Sequence, residues 1–270
     1  MKQFILVMIV LLFTVCKGGN MNTARFVLAA EINLSQEELQ NLASKKIYFG
    51  HQSVGYNIIE GIDDILSIDG SGIKLNIKET RNPDDFDAPV FAHSGIGRNY
   101  EPISKIDDFK KLIESGVGNK VDIAFFKFCY VDVNENTNLE EVFKHYTDTF
   151  SILEAEYPKV KFAHCTAPLT VIQGGVKAGI KKILGKSGEE ENNRKRGIFN
   201  RMLKEKYGSR VFDLAKAEST YPDGAKAEFS KNNEKFAYLI PEYSDDGGHL
   251  NKLGKQRVAE ELIRFLSNNL

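Results

Sequence analysis

Two hydrophobic periods take turns along this chain. Ile47, Tyr48 and Phe49 form a short apolar, β-prone run that Gly50 interrupts. Ile58, Ile59, Ile62, Ile65 and Leu66 then recur at helical spacing and lay one apolar stripe along a helix. Further strands are expected at residues 73–77, 121–128, 160–166 and 211–214. Helices are expected at 104–114, 139–157, 192–207 and 252–266. The run at 121–128 is almost wholly apolar, as suits a central strand covered on both faces, whereas 73–77 alternates and reads as an edge strand. A short opening helix over 31–45 has Ser35 as its cap and Glu38 completing a capping box. Strand followed by helix recurs five times. That predicts an α/β protein: a single flavodoxin-like three-layer α/β/α domain around a five-stranded parallel sheet.

Three stretches fall outside this rhythm. Residues 81–102 lack periodicity and read as loop, with Gly95 and Gly97 among polar residues. Residues 174–188 are rich in Gly and Lys and read as an insertion over the site. The polar and aromatic stretch 218–243 is expected to form a lid that sets substrate choice.

Composition narrows the picture. The chain has 270 residues, 42% apolar and 27% charged, with a net charge of −1 from 36 basic and 37 acidic side chains. No basic excess is present to displace counterions from nucleic acid, so a nucleic-acid partner is not expected. Lys2 precedes an apolar run over residues 4–15, too short to span a bilayer and of signal-peptide length. Residues 1–30 therefore read as a targeting segment and linker, residues 31–270 as the domain, and the mature chain as exported without a transmembrane span. Cys16 would allow lipidation, although Val15 before it is larger than such processing prefers. Cys129 and Cys165 each end a predicted strand and read as buried thiols, which could pair if those strands are neighbours. No Cys/His spacing suits zinc, and neither a metal nor an organic cofactor is expected.

The candidate chemistry lies near the two ends of the domain. Gly50-His51-Gln52-Ser53-Val54-Gly55 is a strand-to-helix turn carrying a hydroxyl, Ser53. Such turns lie at the carboxyl ends of strands in open α/β sheets, where ligands bind and backbone N–H groups can meet an anion. A lone Ser there would be a helix cap. Near the C-terminus, however, stands Ser244-Asp245-Asp246-Gly247-Gly248-His249-Leu250-Asn251. A hydroxyl nucleophile needs a base, and the base needs an orienting carboxylate. Asp246 and His249 have the spacing for such a pair, and Asp245 is the alternative acid. His164, at a strand end, reads as a hydrogen-bonded structural residue.

The pair of motifs resembles the SGNH/GDSL hydrolase superfamily over about residues 47–270. In that family a nucleophilic Ser follows the first strand, and an Asp-x-x-His near the C-terminus completes a triad. The first motif is divergent, with Gly50-His51-Gln52-Ser53 in place of Gly-Asp-Ser. The resemblance implies Ser53 as nucleophile, His249 as base and Asp246 as acid. It also implies a glycine N–H at the oxyanion, from Gly95 or Gly97. The family's Gly-x-Asn-Asp is missing after the 121–128 strand; Asn134 is the candidate replacement, with Lys127 or the turn backbone as alternatives. His51 would shape the pocket, hydrogen-bond an ester alkoxy group, or support the turn. The implied activity is hydrolysis of small acyl esters, acetyl above all, on carbohydrate. An acyltransferase using the same triad, or a glycan-binding module on the same fold, are the rivals. A phosphate-binding reading of the Gly50–Gly55 turn lacks the P-loop lysine.

Overall fold

The computed structural model describes residues 32–68, 70, 72–172 and 188–268. The expected targeting segment and most of the Gly- and Lys-rich insertion lie outside the described residues. The chain opens with α1 (Gln36–Ala43), whose Ser35 and Glu38 form the reciprocal capping box. Strand β1 (Lys46–His51) leads into α2 (Val54–Ile68). Then come β2 (Ile77–Glu79), β3 (Val90–Gly95), α3 (Pro102–Glu114), β4 (Ile123–Phe126), α4 (Leu139–Glu156), β5 (Lys161–Phe162) and β6 (His164–Cys165). The last elements are α5 (Glu189–Tyr207), β7 (Val211–Phe212), α6 (Leu214–Ser219), the hairpin β8 (Glu228–Lys231) and β9 (Glu234–Ala237), and α7 (Lys252–Asn268).

Five strands form a parallel sheet in the order β2-β3-β1-β4-β5. Strand β1 is therefore central, flanked by β3 and β4. Beyond Ala163, whose N–H donates to Ala124 O, the chain turns from β4 to pair with β7. Alternate side chains of each strand enter opposite cores. Ile47, Phe49, Ile123 and Phe125 pack with α1, α2 and α7 on one face. Tyr48, Ala124 and Phe126 pack with α3, α4 and α5 on the other. This is the three-layer α/β/α arrangement that the periodicity implies.

The sheet differs from the expected one in membership. Strand β3 lies inside the stretch read as loop. Its apolar run, Val90-Phe91-Ala92, is only three residues long, and His93 and Ser94 follow. Those two are buried all the same, because the sheet supplies their partners: Tyr48 Oη for Ser94 Oγ at 2.7 Å, and His51 Nε2 for His93 Nδ1 at 3.0 Å. The edge strand begins only at Ile77. The stretch 218–243 is not an open lid. Asn232 and Asn233, with φ of 52° and 64°, close the β8–β9 hairpin, as left-handed residues do in tight hairpin turns. Leu239, Ile240 and Tyr243 are buried in the core that holds α7. Cys129 and Cys165 are buried free thiols.

Candidate active site

Ser53 sits between the carboxyl end of β1 and the first turn of α2. Its φ of 40° puts a non-glycine residue in the left-handed region, a conformation that costs on the order of 1–3 kcal/mol and persists where surrounding structure imposes it. Here the imposing groups are visible. The Gly55 N–H donates to Gln52 O and the Tyr56 N–H to Ser53 O, so the helix begins at once. Gly55 lies on the His51 ring so closely that a Cβ there would fall 2.2 Å from His51 Cγ. The Ser53 N–H has no partner among the described residues.

The Asp246–His249 loop closes over this turn. Ser53 Oγ is 3.1 Å from His249 Nε2, and His249 Nδ1 is 2.6 Å from Asp246 Oδ2. Asp246 Oδ1 accepts the N–H groups of Gly248 and His249 at 2.9 and 2.8 Å. Burial pushes the Asp246 carboxyl up, but the bonds from the His249 ring and these two N–H groups outweigh it. The carboxyl is held well below the usual range, as an anion. Asp245 instead accepts Asn251 Nδ2 at 3.2 Å. Two bonds fix the loop from outside: Val171 N–H to Gly247 O at 2.9 Å, and Leu250 N–H to Asn57 Oδ1 at 3.2 Å. Asn57 lies one turn after Ser53 on α2, so a single helix start positions both the Ser53 hydroxyl and the loop that carries His249. The Tyr130 ring meets the His249 ring edge to face, with centroids 5.7 Å apart.

The other expected site residues are differently employed. The Gly97 N–H donates to Asp108 Oδ2 at 2.9 Å. Its φ is 50°, and a Cβ at this position would fall 2.6 Å from Lys105 N, so Gly97 serves the turn and not an oxyanion. Gly95 pairs with His51 across β3 and β1. Ile96 donates to His51 O on the β1 side, so by strand alternation the Gly95 N–H faces the β2 side, away from Ser53. Asn134 Nδ2 donates to Val131 O and its Oδ1 accepts Asn136 N–H, so its amide closes its own turn. Lys127 is buried, with Nζ 3.3 Å from Phe128 O. His51 is buried too; burial, with Lys127 and His93 nearby, lowers its pKa to about 2, and it is a neutral wedge under the turn and not a pocket wall. His164 is structural, bonded to Tyr146 Oη at 2.9 Å and stacked on Tyr207. No group of three His, Cys, Asp or Glu side chains among the described residues is arranged to hold a metal.

Several organising residues carry no sequence signal. Gln52 Nε2 donates to Ile96 O and Gly97 O at 2.9 and 2.7 Å, fastening the β3 loop beside Ser53. Lys105 and Asp132 form a fully buried ion pair at 2.5 Å. Asp132 also accepts the N–H of Cys129 at 2.6 Å and of Tyr100 at 2.9 Å, joining the loop after β4 to the loop after β3. Arg196 Nε donates to Tyr130 O and Val133 O from below. Only the contact partners, far away in sequence, reveal these roles.

No curated protein matches the chain. Among solved structures, a Streptococcus pneumonia protein described as a platelet activating factor is 14% identical, with a TM-score of 0.49, covering 85% of this chain and 91% of its own. A Desulfitobacterium hafniense DCB-2 protein described as a lipolytic protein of the G-D-S-L family is 12% identical, with a TM-score of 0.44 and coverage of 82% and 99%. The periplasmic domain of a lipopolysaccharide acetyltransferase from Salmonella ser. Paratyphi A is 12% identical, with a TM-score of 0.45 and coverage of 83% and 86%. A family model, GDSL-like Lipase/Acylhydrolase, matches residues 35–262, the greater part of the domain, and the chain belongs to that family.

Proposed function

We propose that this protein is an exported serine esterase that hydrolyses small acyl esters, acetyl foremost, on carbohydrate. One observation carries the reading: the unbroken hydrogen-bond chain from Ser53 Oγ through the His249 ring to the Asp246 carboxylate. It occurs at the carboxyl rim of a parallel sheet, in a member of a lipase and acylhydrolase family. His249 Nε2 takes the hydroxyl proton as Ser53 Oγ attacks the ester carbonyl carbon. Asp246 holds the ring tautomer and stabilises the imidazolium. The Ser53 N–H, uncommitted at the start of α2, donates to the oxygen that becomes negative; one such donor is worth about 3 kcal/mol of barrier. Collapse expels the alcohol, which leaves with the His249 proton. Water then repeats the sequence and frees the acid and Ser53.

Export rests on the signal-like run at residues 4–15. No helix among the described residues is long and apolar enough to cross a membrane. The carbohydrate acceptor rests on the family resemblance. The test is a fluorophosphonate probe followed by peptide mass spectrometry. An esterase or acyltransferase is labelled on Ser53 and loses the label in Ser53→Ala, whereas an unlabelled parent would favour a glycan-binding module.

A further inference from the structure

We propose that Asn99 is a catalytic residue, its carboxamide Nδ2 donating to the oxyanion formed on attack by Ser53. The inference rests on the esterase reading above and names a donor that it leaves unassigned.

The topology brings the loop that carries Asn99 beside the end of β1. Strand β1 lies between β3 and β4, so the loops after β3 and β4 flank the end of β1, where Ser53 stands. These loops join across that end: Lys105 Nζ binds Asn99 Oδ1 at 2.9 Å and Asp132 Oδ2 at 2.5 Å, and the next residue, Tyr100, donates its N–H to Asp132 Oδ1. Residues 99 and 100 therefore cross from the β3 side to the β4 side. On the near side, Gln52, adjacent to Ser53, holds the carbonyls of Ile96 and Gly97.

The orientation of the amide follows from its partner. A lysine ammonium only donates, so the atom facing Lys105 is the oxygen, and the NH2 points the other way. That NH2 has no partner among the described residues. The loop amides show the same selectivity. Ile96 donates to His51 O, Gly97 to Asp108, Arg98 to Ser104 Oγ, Tyr100 to Asp132 and Glu101 to Arg98 O. From 96 to 101 the Asn99 N–H alone has no partner among the described residues. Three other side-chain donors on this rim are engaged: Gln52 as above, Tyr56 Oη with Glu79, and Arg81 with Asp108, while the Asn57 carboxamide is held through its oxygen by the Leu250 N–H, next to His249. The Tyr130 hydroxyl also has no partner among the described residues, but its end of the ring lies over Gly248, beside His249: a Cβ on Gly248 would fall 3.1 Å from it. A donor held from behind by a buried ion pair and left open in front is preorganised for charge that appears only during reaction.

The test compares the parent with Asn99→Asp, Asn99→Ala and Ser53→Ala in hydrolysis of p-nitrophenyl acetate and an alkyl acetate. Asn99→Asp keeps an oxygen for Lys105 and replaces the NH2 donor by a charged carboxylate oxygen that only accepts, whereas Asn99→Ala removes the donor without adding charge, so agreement of the two isolates the lost donor; melting temperatures are read alongside. The expected result is a loss in kcat of about 10²–10³-fold in both Asn99 variants, with KM little altered and the same factor for both esters. If Asn99→Asp and Asn99→Ala turn over within about twofold of the parent while Ser53→Ala is inactive, the proposal is overturned and the nucleophile stands. A loss confined to the alkyl ester would overturn it too, since it marks help to the leaving group. Full activity in Ser53→Ala would overturn both readings together.

Discussion

His249 Nε2 lies 3.1 Å from Ser53 Oγ although 196 positions separate the two residues in sequence. The contact is made by packing of the two helices that begin at them: α2 starts just after Ser53, α7 starts just after His249, and Ile58, Ile62, Val258 and Leu262 share one buried core. The strand-to-helix turn and the C-terminal loop are thus held by the same apolar interface.

The acid is decided by which carboxylate reaches the ring. Asp246→Asn should lower kcat for p-nitrophenyl acetate by about 10⁴-fold, the size seen when a triad acid loses its charge. Asp245→Asn, at a carboxylate whose oxygen accepts from Asn251 and not from the ring, should stay close to the parent. The reverse order would assign the acid to Asp245.

The two glycines of the β3 loop should separate in thermal melts. Gly97→Ala forces a side chain onto a left-handed backbone and against Lys105, and overpacking of this kind costs about 1–3 kcal/mol. A melting-temperature drop of several degrees is expected. A Cβ on Gly95 meets nothing closer than 3.9 Å, so Gly95→Ala should keep both melting temperature and turnover. Loss of turnover in a stable Gly95→Ala would return that glycine to the oxyanion.

Lys105→Met should be strongly destabilising, because it leaves the fully buried Asp132 carboxylate without its cation. Breaking such a pair costs about 3–5 kcal/mol, readable as a lower urea midpoint at unchanged slope. A midpoint shift below what about 1 kcal/mol produces would mean that the pair is not what holds the two loops together.

Much of this is legible in the sequence, and the missing parts share a cause. The stripe of α2, the apolar β4 and the Ser53 and Asp246–His249 motifs announce themselves because each depends on neighbours in sequence. Strand β3 does not, since His93 and Ser94 are buried by partners on β1. Gly97 and Asn134 read as free donors in the sequence, whereas in the fold Asp108 and Val131 occupy them. Hydrogen-bond commitment is a property of the folded chain, and composition cannot display it.

Stability should depend on pH through Glu218. Burial raises this carboxyl to about 8, against 4.5 for an ordinary glutamic acid, and only one of its oxygens has a partner, the Leu169 N–H. The fold prefers the protonated form. That contribution is complete below about pH 4.5 and is lost as pH rises through about 8. Glu218→Gln keeps an acceptor for Leu169 and cannot ionise. Relative to the parent, it should melt at a higher temperature at pH 8.5 and show little difference at about pH 5. Superimposable differences at both pH values would contradict the assignment.

The most direct measurement is p-nitrophenyl acetate hydrolysis by the protein beside Ser53→Ala and His249→Ala, with folding followed by circular dichroism. The account predicts turnover in the parent and its loss in both variants, with unchanged spectra. Equal activity in all three proteins, or none in the parent, would contradict a Ser53–His249 esterase.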